Sequence, residues 1–247
     1  MSVVGAALVP AAPVLVPGLS GHTRTAPEVR AATLEAIQRM IDAGVDEVAV
    51  LAEADRAGLF DSDAPWGLHR IGGMHSVSEP GAGSAFDQPL TVSLAIGASM
   101  LRDAGWTGPT SLHALERAMS ADAAAELGRR LEAKGRSVGL LLLGNGSACC
   151  TEKAPGSFHP EAETFNATLL AMIRQGDRAA MMELSAHDTA DQLSDVRVPL
   201  QVFAGATAGH RFLSSITFAD DFAGVYYICA TLLLDADDVR PHAATAR

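Results

Sequence analysis

Apolar residues fall along this chain in short dense blocks separated by stretches with helical spacing. Residues 2–9, 45–51 and 138–143 are nearly devoid of polar side chains, as strands covered on both faces should be. Pro10 stops the first block, Asp46 and Glu47 are the polar members of the second, and Gly144 ends the third. After the first block, Pro27 suits a first helical position, and Val29, Leu34, Ile37, Met40 and Ile41 make a stripe that runs out near Gly44. Residues 89–104 predict a second helix and 110–115 a short extended piece. Ser120 then caps a helix through Lys134 whose Ala121, Ala124, Ala125, Leu127 and Leu131 face the core. Further on, the pattern predicts helices over 161–173 and 178–187, strands over 199–204 and 225–234, and a polar tail over 235–247.

Strands separated by helices predict an α/β fold: one central sheet, mostly parallel or mixed, with helices on both faces. The 247 residues lie between one and two domains at roughly 150 residues each, but α/β folds run to about 250 as one. A single domain is therefore assigned to residues 1–234, followed by the tail. Ligands of such sheets bind beyond the carboxyl ends of the strands, which singles out the loops after Val9, Leu51 and Leu143. From 52 to 88 the pattern dissolves into Gly, Pro, Asp and Ser around Trp66, His69 and His75, a length of loop that goes with function or mobility.

Charge narrows the partners. Lys and Arg number 18 against 29 Asp and Glu, a formal charge of -11, which argues against nucleic acid or an anionic membrane. Cys149 and Cys150 are neighbours and Cys229 stands apart, so no disulfide framework is expected and a reducing cytoplasm fits. Residues 1–23 carry no charge, yet they lack a basic start and contain Pro10, Pro13 and Pro17, unlike a signal peptide. Later uncharged stretches such as 88–101 fall short of the ~20 residues of a membrane span. The expectation is a soluble, cytoplasmic protein with a small-molecule ligand, its oligomeric state open.

The loops at the strand ends carry a resemblance. Pro10-Ala11-Ala12-Pro13-Val14-Leu15-Val16-Pro17 resembles the PHPP-x-x-VP opening of the class III extradiol ring-cleavage dioxygenase superfamily, the LigB-like proteins. Gly144-Asn145-Gly146-Ser147-Ala148, then Ala154-Pro155-Gly156, Phe158-His159-Pro160-Glu161 and Phe165 resemble its GDLSH segment and the G-Y-x-P-E-G stretch after it. Gly224-Val225-Tyr226-Tyr227-Ile228-Cys229-Ala230 resembles its GVGYLVA strand. The order of these motifs spans nearly the whole chain. The resemblance implies a single LigB-like α/β domain. In active members it implies Fe(II) held by two histidines and a carboxylate, with open positions for a catecholate and O2 and a further histidine as acid/base.

The departures from that pattern fall on the chemistry. Ala11 and Ala148 stand where the family carries metal histidines, Glu53, Ala54 and Asp55 occupy the turn that usually shows another histidine, and Asn145 replaces the aspartate of GDLSH. Alanine has no lone pair to give a metal, so the inherited iron site is expected to be absent and no cofactor is expected. Fe(II) or another divalent metal on Glu53, Asp55 and Asp220, with Cys149 nearby, is the alternative. The reading is a divergent LigB-like protein that binds a small molecule or partner in a cleft formed by Ala11, Ala54, Asn145, Ser147, Ala148 and His159. Two enzymatic alternatives stand beside it: a metal-dependent extradiol-type dioxygenase with unusual ligands, and a metal-free enzyme using Cys149, Ser147 or His159.

Each candidate has a structural reading as well. Cys149 and Cys150 lie in a Gly/Ser-rich turn with no basic neighbour, and free cysteines commonly serve as small buried hydrophobes. Ser147 lacks the second glycine of a Gly-x-Ser-x-Gly elbow, because position 149 is Cys149. His159 either lines the cleft or sits beside an acidic first turn that complements a helix dipole. His22, His69 and His75 have no metal-ligand spacing, His187 and Asp188 adjoin without facing each other, and Gly81-Ala82-Gly83 lacks the rest of a phosphate loop.

Overall fold

The three apolar blocks become adjacent strands in the middle of a seven-stranded mixed sheet. The structure, a computed structural model, describes residues 3–16, 26–61, 66–67, 76–77, 90–133, 135–235 and 237. In chain order the strands are β1 (Val3–Val9), β2 (Glu47–Ala54), β3 (Gly58–Asp61), β4 (Trp66–Gly67), β5 (Ser76–Val77), β6 (Thr110–Glu116), β7 (Val138–Leu143), β8 (Phe212–Phe222) and β9 (Val225–Leu234). The helices are α1 (Pro27–Asp42), α2 (Val92–Asp103), α3 (Ala121–Glu132), α4 (Ala162–Gln175), α5 (Arg178–Met182), α6 (Ala186–Asp191) and α7 (Arg197–Ala206), with a 3-10 turn at Pro13–Leu15.

The sheet runs β3-β6-β2-β7-β1-β9-β8, with β4 and β5 pairing separately. β6, β2, β7 and β1 are parallel to their neighbours among these four, whereas β3, β9 and β8 add by antiparallel pairing. Parallel strands need helices on both faces, and both are supplied. α1 and α2 cover one face with Val29, Ile37, Met40, Leu94 and Met100, and α3, α4 and α7 cover the other with Leu131, Leu169, Ile173, Leu200 and Phe203. Val9 pairs with Leu143, and Leu143 with Ala52, so β1, β7 and β2 finish at the same level and their following loops share one edge. Among the described residues no helix is long and apolar enough to cross a membrane.

The α/β architecture follows the sequence expectation, as do Pro27 at the head of α1 and Ser120 as the cap of α3, its hydroxyl accepting from Ala123 N–H. Four local expectations are corrected. Residues 199–204 are not a strand but the body of α7, all ten of whose residues are buried. A helix with no exposed face needs few polar residues, and the run from Val198 to Ala206, broken only by Gln201 among polar side chains, reads as a buried strand. The helix expected over 178–187 is two, because the Ser185 hydroxyl accepts from Asp188 N–H and starts α6 afresh. The pattern predicts no element where β8 lies, since its edge position lets Ser214, Ser215, Asp220 and Asp221 intrude on the apolar signal. Within the loop expected over 52–88, β2 continues to Ala54 and β3 builds the sheet edge. His22, His69, His75, Gly81-Ala82-Gly83 and nearly all of the tail lie outside the described residues.

Two features fix the far end of the chain. β8 and β9 are joined by Ala223 and Gly224, both at positive φ (55° and 83°), the two-residue hairpin turn that matches strand twist. A side chain at Gly224 would also run into Ala154. α3 and α7 cross at Gly128 and Gly205: a Cβ on Gly205 would overlap the Ala125 backbone, and one on Gly128 the Val202 carbonyl. Glycine inside a helix ordinarily costs about 1 kcal/mol relative to alanine. Here the sign should invert. Gly205→Ala and Gly128→Ala should each destabilise by about 1–3 kcal/mol through overpacking, measured as a lower urea midpoint with unchanged slope; a neutral or stabilising result would show that the helices separate without cost.

Candidate functional site

At the carboxyl edge, Gly144 N–H still pairs with the Val9 carbonyl (3.1 Å), and the chain then turns at Asn145. Both the backbone N–H (2.6 Å) and the side-chain Nδ2 (3.2 Å) of Asn145 donate to Asp195 Oδ1, and Ser194 Oγ donates to the Asn145 carbonyl (2.7 Å). Asn145 is thus clamped to the segment that leads into α7. Because Nδ2 must face the carboxylate, Oδ1 is turned away from it. That oxygen is buried and has no hydrogen-bond partner among the described residues.

Glu53, the penultimate residue of β2, is buried and accepts the Val198 N–H through Oε1 (3.0 Å). A carboxylate from a neighbouring strand therefore supplies the N-terminal cap that α7 does not carry itself. Burial pushes the Glu53 carboxyl above its ordinary range, against the lowering effect of the Val198 N–H; the charge of Asp195 pushes it further, and Arg197 and Arg117 oppose. Burial likewise raises Asp195, opposed by the Asn145 N–H and by Arg117. Tyr227, buried on β9, is raised by desolvation and by Asp195. Two carboxyls raised by burial, an amide oxygen without a donor among the described residues and a buried phenol make this edge the polar exception in an apolar sheet.

The sequence candidates divide. Ala11 and Ala54 are buried in the apolar layer on the α1/α2 face together with Leu15, Val16 and Tyr227, at the ends of strands flanking β7. Ser147 is fully buried: its hydroxyl donates to Gln192 Oε1 (2.7 Å) and accepts from Cys149 N–H (3.0 Å). Gln192 Nε2 then donates to His159 Nδ1 (2.9 Å), which also accepts from Glu161 N–H (3.2 Å), so the ring proton belongs on Nε2. Gln192 stands between hydroxyl and imidazole, and the pair cannot exchange a proton directly. Ala148 donates its N–H to the Gln192 carbonyl (2.9 Å), Cys149 is buried, and the Cys150 thiol, which accepts from Asn166 Nδ2 (3.4 Å), is pushed up by burial. Thiolate nucleophiles need the opposite shift.

The metal alternatives separate in space. Asp55 is exposed beside Arg117 (3.7 Å). Asp220 lies on β8, four strands from β2, about 19 Å away at the usual strand spacing. Among the described residues no three His, Cys, Asp or Glu side chains are grouped to hold a metal. The donors present at the edge are two carboxyls and one amide oxygen, and they do not fit a two-histidine, one-carboxylate iron site.

Sequence reasoning missed Asp195, Gln192 and Arg117, which reach the edge only through the placement of α6, α7 and the loop after β6. It also missed a cavity of about 550 Å³ between α4, α5 and α6, floored by Phe165, Leu169 and Met172 and bordered by Asp188, Asp191 and Gln192.

The buried carboxyls set a pH dependence. A carboxyl whose folded pKa lies above its unfolded value holds more protons when folded, so stability is highest below the unfolded value and falls as pH rises through the folded one. Glu53→Gln keeps an acceptor for Val198 and removes the buried charge. Thermal denaturation should show it more stable than the native chain at pH 7.5, with the difference closing near pH 4. Equal pH slopes in the two proteins would mean that Glu53 is no strained acid.

No protein-family model and no curated protein matches this sequence. Among solved structures, the chain is similar to the crystal structure of uncharacterized protein JW3007 from Escherichia coli K12, with a TM-score of 0.54 and 14% identity over 93% of this chain and 99% of that one. At that identity the likeness is one of fold.

Proposed function

We propose that this chain is a divergent LigB-like protein that binds a small organic molecule at the carboxyl edge of β1, β7 and β2 without the family's iron. The carrying observation is the Asn145 amide oxygen, buried without a donor among the described residues next to Asp195. A buried acceptor left unpaired costs about 1–3 kcal/mol, and native proteins satisfy nearly all such groups. A hydroxyl or ammonium group on a ligand, supported by Asp195 and Glu53, satisfies it. The loss of both metal imidazoles at Ala11 and Ala148 supports binding over ring cleavage. A thiol or serine enzyme has less behind it, since Ser147 and Cys149 are buried within their own turn.

Catechol, the ligand class that the resemblance implies, is the first probe. Catechol binding, followed calorimetrically under anaerobic conditions, should weaken about tenfold in Asn145→Leu, the worth of one hydrogen bond, and be little changed in Cys150→Ser. Ring-opened product on adding Fe(II) and O2 would sink the metal-free reading, and equal catechol affinity in Asn145→Leu would remove Asn145 from the site.

A further inference from the structure

We infer that a second site, at the opposite edge of the sheet, binds a phosphate group, free or as the monoester of a small organic molecule. A cavity of about 520 Å³ lies between the last turn of α4, the start of α5 and the segment 209–214 that enters β8. That size is within the ordinary range of small-molecule sites. Ten residues line it. Arg174, Arg178 and Arg211 are among them with His210, and none is a carboxylate, although Lys and Arg make up only 18 of 247 residues in a chain of net charge -11. The potential in this cavity therefore opposes that of the molecule as a whole, the local condition for capturing an anion.

The arginines come from three separate segments, and two are held by their surroundings. An Nη1 of Arg178 donates to the His210 carbonyl, which ties its guanidinium to the 209–211 turn. The Nε side of Arg211 faces Asp235 Oδ2 (3.4 Å). The blander role of such residues is to neutralise the carbonyl end of a helix, and Arg174 in the last turn of α4 suits it. Arg178 does not, because it opens α5, the end where a cation is disfavoured. Arginine's planar fork suits phosphate oxygens. At the wall, the Ser214 hydroxyl is buried without a partner among the described residues, and Phe212 and Leu213 offer apolar surface for an organic moiety.

This site is independent of the carboxyl edge. Leu213 pairs with Leu233, and Leu233 with Gly5 near the start of β1, whereas Asn145 lies beyond the end of β7. Four residues of β1 separate the two levels, about 13 Å along the strand.

Isothermal titration with phenyl phosphate and with inorganic phosphate, at ionic strength fixed with chloride, tests the inference. Saturable binding should weaken at least tenfold in the exposed pair Arg174→Gln/Arg211→Gln, whose melting temperature in chloride serves as the folding check. The single Arg174→Gln, expected to lose at least threefold, takes its place if the pair does not fold. Tighter binding of phenyl phosphate assigns a monoester, and equal binding assigns the free ion; both support the site. No saturable binding of either probe, or undiminished affinity in the variants, overturns it and leaves the arginines as helix-end neutralisers.

Discussion

A helix with no solvent-facing side must find every polar partner inside the protein, and α7 is such a helix. Its ten residues are all buried, so the N–H groups of its first turn have no water to turn to. Glu53 reaches across from β2 to take one of them. Arg197, buried at the helix start, spends its guanidinium on the Arg117 and Met119 carbonyls and on Gln201 one turn later, binding the loop between β6 and α3 to the helix. Gly128 and Gly205 then let α3 approach to backbone contact. With α7 fixed, residues 194 and 195 are fixed, and through them Asn145. The polar edge of the sheet is a consequence of seating this helix.

That dependence explains which parts of the molecule were legible in the amino-acid sequence. β1, β2 and β7 were readable because central parallel strands are buried on both faces and show it as unbroken apolar runs. By the same logic α7 was misread, since a wholly buried helix leaves the same trace. The surviving clue was subtle: Arg197, Gln201 and Gly205 recur every four residues, a helical spacing carried by the polar and small positions rather than the apolar ones. β8 escaped because an edge strand tolerates serine and aspartate. At the edge, Asn145 and Glu53 drew notice by position, each following an apolar strand, Asn145 as a cleft residue and Glu53 only as a metal ligand. Asp195 and Gln192 had no local pattern, because what brings them to the edge is the packing of α6 and α7.

The fold and the chemistry of this protein part company at the strand ends. A shared α/β scaffold says where a ligand would lie and nothing about what it is. Here the strand ends hold methyl groups at Ala11 and Ala54, after the two strands that flank β7, and an amide at Asn145 between them. Burial raises both carboxyls beside it, and one of them, Glu53, already serves the fold by accepting the Val198 N–H at the head of α7.

The position of β9 has a consequence for how the chain is made. β1 is made before the other strands of this sheet, yet one of its two neighbours, β9, comes from residues 225–234, with Leu8 paired to Ala230. Until the β8–β9 hairpin leaves the ribosome, β1 presents an unpaired, apolar edge on that side, the kind that templates association with other chains. Every other strand of the sheet is therefore made before β1 is sealed on this side, and the turn at Ala223–Gly224 acts as the clasp.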